Sequence, residues 1–193
     1  DALAVTLDPP DLGKTEAWYV VAADAGSGVY AGLKPGTDRP ALEQSIAAGN
    51  CEELLHTIPV SAGDCVFLPA GVVHAIGGGF LVAAIRLYDW NYVGPDGRPR
   101  ELHVDQGLNA TDFAAGPVQK QTLVTTRRPQ AERLVECDKF VWDRWTFDEA
   151  IELPCDGSCH IISVLSGELT VAGDAVEQPA GLGQTLLIPA NLE

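Results

Sequence analysis

SAGDCVFLPAGVVHA (61–75) returns in outline near the end of the sequence as GLGQTLLIPANLE (181–193). Each copy has a glycine, a polar residue, an apolar run and then Pro-Ala. The glycine permits the positive φ of a tight turn, and the proline closes a strand because it lacks the N–H that a neighbouring strand would accept. The same device used twice predicts two jelly rolls in tandem. SVLSGELTV (163–171), upstream of the second copy, reads as a hairpin with Ser-Gly at its turn.

Other segments have the same texture. AWYVVAAD (17–24), GVYAGL (28–33), FLVAAIRLYDW (80–90), KFVWDRWTF (139–147) and CHIISVLSG (159–167) are rich in β-branched, leucine and aromatic residues and are bounded by Gly, Pro or Asp. The chain is therefore expected to be mostly β, an antiparallel sandwich or barrel. Helix is expected from Pro40 to about Ile58. Asp38 can cap it, Pro40 suits its first turn, and Leu42, Ile46, Leu54 and Leu55 form a broken apolar face. Gly49-Asn50 should split this helix. A weaker helix is expected from Val104 to Phe113. These signals set a first domain over 1–112 with a helical insert at 40–58, a linker over 113–131 and a second, metal-free jelly roll over 132–193.

With 27 acidic against 12 basic side chains, the formal charge of −15 disfavours nucleic acid and anionic lipid as partners. A small phosphorylated ligand stays possible, because a few focused cations in a cleft outweigh the mean surface charge. No apolar run approaches bilayer length and DALAVTLDPP lacks signal-peptide features, so a cytoplasmic protein is expected. The five cysteines (51, 65, 137, 155, 159) have no CxxC spacing and are read as reduced thiols. Methionine is absent, which a processed or a truncated start would explain equally.

Two places carry candidate chemistry, GKTEAWYV (13–20) and PAGVVHAI (69–76). Lys14 and Glu16 lie two apart, so they share one side of an emerging strand. His74 follows a Pro-Ala-Gly turn at the mouth of a β-domain. Carboxylate and imidazole together could hold Zn²⁺. The plainer readings are a solvated Lys-Glu ion pair and a structural strand-end histidine.

GKTEAWYV, then GDCVFLPAGVVHAIGGGF (63–80), then RLYDWNYVGPDGRPRELH (86–103) resemble, in that order, the core of the short type I phosphomannose isomerases, which are zinc-dependent cupin enzymes. The resemblance implies reversible interconversion of mannose 6-phosphate and fructose 6-phosphate through an enediol, with one Zn²⁺ per chain and a sugar phosphate as partner; a monomeric protein is expected. It maps Glu16 and His74 onto two metal ligands, Arg86 onto an active-site arginine and Lys14 onto a second cation of the site. The family's other two ligands, in a QxHP motif, have no counterpart, and Asp1 would fall just after that proline. FLVAAIRLYDW also runs straight through where the family carries extra polar residues, and Tyr92 stands where an arginine is usual. Manganese or cobalt would suit the same donors.

His103, His56 and His160 are read as structural, Asp89 and Trp90 as packing near the cleft mouth, and Lys34 as a turn lysine. Two rival functions fit the same residues. One is a cupin that binds a sugar phosphate without turnover. The other is a different metal cupin, such as a dioxygenase or an epimerase, for which a histidine-rich ligand set would be expected.

Overall fold

The computed structural model describes residues 6, 13–76, 102–153, 156–173 and 178–190. FLVAAIRLYDW, with Arg86, Asp89 and Trp90, lies outside them, as does Tyr92. The described residues are mostly β-strand with few helices, and their contacts form two units, 1–145 and 146–193.

In the first unit, β1 (Glu16–Tyr19) pairs antiparallel with β4 (Cys65–Leu68). A second sheet has the order β3 (Leu55–Pro59), β2 (Gly28–Leu33), β5 (His74–Ile76). Val29, Ala31, Ile58, Val66, Leu68 and Val72 are buried between these sheets, with Trp18 packed against them. Along β4 the side chains alternate as strand geometry requires. Val66 and Leu68 enter that core, while Cys65 and Phe67 pack on the opposite face with Leu134, Val135 and Trp142.

Those last residues belong to a three-stranded sheet of β6 (Val124–Thr125), β7 (Ala131–Glu136) and β8 (Val141–Trp145). The pair β1–β4 is thus covered on both faces. The segment read as linker runs along the same unit, with the Val118 N–H donating to Ala31 and the Gln121 N–H to Cys65. The contact boundary falls after Trp145, whereas the sequence reading began its second domain at 132.

The helical insert is a helix, α1 (Arg39–Ala48), followed by a single 3₁₀ turn (Cys51–Leu54). Asp38 caps α1 by accepting from the Ala41 N–H, and Gly49 ends it in the left-handed region at φ 76°. Leu55 to Ile58 differs from expectation, since it forms strand β3 on the edge of β2. Leu54 and Leu55 fit either period. The β-branched Thr57 and Ile58 and the open edge of β2 decide for the strand. The second helix, α2 (Val104–Ala110), is close to its expected span.

In the second unit β9 (His160–Ser163) pairs with β12 (Thr185–Ile188), and β10 (Glu168–Leu169) with β11 (Ala180–Gly181). Val164 and Ala180 are its buried apolar residues among those described.

Candidate metal centre and active site

Glu16 opens β1 and His74 opens β5, so two strand ends, each fixed by its pairing, bring them together. Glu16 lies opposite Leu68 of β4, and His74 opposite Ala31 of β2. Glu16 Oε2 stands 3.0 Å from His74 Nε2, and Glu16 Oε1 stands 3.0 Å from Lys14 Nζ. Both Glu16 and His74 are part-buried, whereas Lys14 is 43% exposed. The carboxylate therefore lies between an ammonium and an imidazole.

His74 Nδ1 is 2.8 Å from the Val72 carbonyl oxygen. A carbonyl can only accept, so Nδ1 carries the proton. In the neutral ring Nε2 then turns a lone pair toward the carboxylate. Two lone-pair-bearing atoms at 3.0 Å need a positive charge between them, either a proton or a metal ion.

The loop that delivers His74 is braced at three points. The Val72 N–H donates to Pro69, the Asp112 N–H beyond α2 donates to Gly71, and the Gly32 N–H donates to Val73. Gly71 sits at φ 92°, and a Cβ there would stand 3.2 Å from both the Ala110 oxygen and Asp112 Cβ. Glycine is required there for its conformation and for the close approach of α2.

The donor set fits a borderline divalent cation. One imidazole nitrogen and one carboxylate oxygen converge, and the far ring nitrogen is anchored by a carbonyl, the second contact that orients metal-binding histidines. Among the described residues no group of three or more His, Cys, Asp or Glu gathers around a common point, so the site there is limited to this pair of possible donors. Arg86, the other candidate catalytic residue, lies outside the described residues.

Two further residues of the sequence reading, Lys34 and His103, have the following surroundings. Lys34 Nζ donates to the Glu53 carbonyl at 2.7 Å, as a turn lysine would. His103 precedes α2 at its cap position, but its side chain makes no cap hydrogen bond and its Nδ1 is buried without a partner among the described residues. Trp18 was read only as a strand aromatic, yet its ring meets the His74 ring edge to face, with centroids 5.3 Å apart and planes at 83°. The spacing Glu16-x-Trp18 placed both on one face, which was the available signal.

Strand ends that present a carboxylate, an imidazole and a lysine define a β protein with a candidate cation site. Comparison with known proteins finds the following similarities. The chain is 28% identical to the mannose-6-phosphate isomerase of Streptococcus mutans over 95% of its length, and 29% identical to mannose-6-phosphate isomerase ManA of Bacillus subtilis over 94%. It spans 60% of the length of each of these curated relatives. A crystal structure of the mannose 6-phosphate isomerase from Bacillus subtilis superposes with a TM-score of 0.82 at 26% identity, covering 98% of this chain and 63% of that one. No family model matches the chain.

Proposed function

We propose that this chain carries the active site of a zinc-dependent mannose-6-phosphate isomerase of the type I cupin kind, which interconverts mannose 6-phosphate and fructose 6-phosphate. The observation that supports this most is the meeting of Glu16 and His74 at 3.0 Å with Lys14 beside them. The similarity to named isomerases at both sequence and structure level points the same way. The proposal includes two tandem jelly rolls, a monomeric protein and a cytoplasmic location. Among the described residues no helix is long and apolar enough to cross a membrane.

Aldose-ketose isomerisation moves a proton between C1 and C2 of the open-chain sugar, and negative charge develops on the sugar oxygens. Glu16 and His74 would hold the metal, which when bound stabilises that charge as a Lewis acid. Lys14 does two things. Its ammonium fixes the Glu16 carboxylate through Oε1, and its exposed side offers a cation to a sugar oxygen or the phosphate. By the sequence resemblance Arg86 is the active-site arginine and Lys14 the second cation of the site.

Fructose 6-phosphate formation from mannose 6-phosphate is followed in a coupled assay before and after chelation, then with zinc restored. Turnover that disappears with chelator and returns with zinc is expected. Zinc binding and sugar-phosphate binding without turnover would replace this reading with that of a binding module.

A further inference from the structure

We infer that Trp18 is a positioning residue for His74, holding the imidazole in the one orientation that aims Nε2 at Glu16; this rests on the metal-site reading above. Among the described residues three contacts hold the His74 ring. Nδ1 is tied to the Val72 carbonyl, Nε2 faces Glu16, and the ring meets the Trp18 indole edge to face. The first fixes which nitrogen carries the proton only while Nδ1 stays within reach of that carbonyl, and a single hydrogen bond leaves the ring free to swing out of reach. The indole closes that freedom, because aromatic pairs at right angles with centroids near 5 Å sit in a defined well.

Trp18 is itself held on both sides. Its backbone pairs with Val66 across β1–β4, and its ring packs on the core of Val29, Ala31, Ile58, Val66, Leu68 and Val72. Ala31, within that core, is also the register partner of His74. The indole therefore spans from the strand that carries Glu16 to the strand that carries His74. Glu16 and Trp18 share a face through their spacing, so one strand supplies both a ligand and the orienter of its partner ligand.

The test uses the protein with Trp18→Leu and Trp18→Phe. Zinc affinity is read by competition with a chromogenic chelator, stability by thermal melting, and the His74 tautomer by ring-nitrogen chemical shifts without metal. Trp18→Leu is expected to weaken zinc by about 10-fold or more, the range seen when a ligand's orienting partner is lost. Its His74 shifts should move toward the average of the two tautomers. Trp18→Phe, which keeps an aromatic contact, should stay within about 3-fold of wild type. A Trp18→Leu protein that melts lower but keeps wild-type zinc affinity and the Nδ1-protonated ring would overturn the inference, leaving Trp18 as core alone.

If Trp18→Leu does not fold, cross-relaxation between the Trp18 indole and His74 ring protons in the unaltered protein decides. Its presence, with a single slow ring orientation, supports positioning, and its absence sinks it. Failure of the unaltered protein to bind zinc would instead count against the metal-site reading, while the tautomer readout still judges Trp18.

Discussion

A carboxylate and an imidazole facing one another at 3.0 Å are held there by the strands, not by their own attraction, since each pairs with a fixed register partner. At this scale the sequence was informative about identity and silent about orientation. Lys14, Glu16 and His74 were legible because two-residue spacing and a strand-end turn expose them. The Val72 carbonyl and the Trp18 ring were not, because a backbone oxygen has no residue signature and an aromatic in a strand is usually core. Behind the site, Cys65 is fully buried on the other face of β4, and that burial pushes its thiol from an ordinary 9.0 up to about 11. A raised thiol value means that the unfolded chain loses its proton first. The contribution is therefore intact below pH 9 and is lost as pH climbs toward 11. The shift corresponds to about 2–3 kcal/mol. Denaturant unfolding should show that slope in the unaltered protein and a flatter one in Cys65→Val; identical slopes would contradict it.

At the scale of elements, caps and turns were well marked. Asp38, Pro40 and Gly49 set the limits of α1 as their chemistry requires. Strands β3 and β7 were hidden, as was β6 within the segment read as linker. Leu55 to Pro59 sat behind two leucines that also fit a helical face, and only the edge of β2 selects the strand. Ala131 to Glu136 was divided between linker and domain because Leu134 and Val135 are adjacent, and its register shifts against β8 between Arg133 and Val135. Its charges are paired within the sheet, Arg133 with Asp143 and Glu136, and Arg144 with Glu132, so a polar-looking segment is a covered strand. The brace between α2 and the 69–73 loop makes a sharper test. Gly71→Ala adds both backbone strain at φ 92° and contact with Ala110 and Asp112, whereas Gly36→Ala adds strain at φ 82° with open space around it. Gly36→Ala should cost about 1 kcal/mol, and Gly71→Ala about 2–3 kcal/mol with weaker zinc binding as well. Equal losses in thermal melting, with zinc affinity unchanged, would show that the brace does not support His74.

At the scale of the whole molecule, the repeated Gly-strand-Pro device marks strands in both units, β4 in the first and β12 in the second. The extent of the first unit was not legible, because the strands that extend it past 131 gain their burial from the far face of β1–β4, a contact between residues far apart in sequence. The charge of −15 places a dense negative field around a site proposed to accept a sugar phosphate, so the local cations carry the recognition. Glu16 is proposed as a metal ligand of an isomerase, with Lys14 as a cation of the same site. The measurement that tests it most directly is mannose 6-phosphate isomerase turnover and zinc content in Glu16→Gln and Lys14→Gln beside the unaltered protein. Glu16→Gln is expected to lose zinc and at least about 100-fold in turnover, and Lys14→Gln to keep zinc but lose about 10–100-fold. A Glu16→Gln protein that isomerises mannose 6-phosphate at the unaltered rate with full zinc would contradict it.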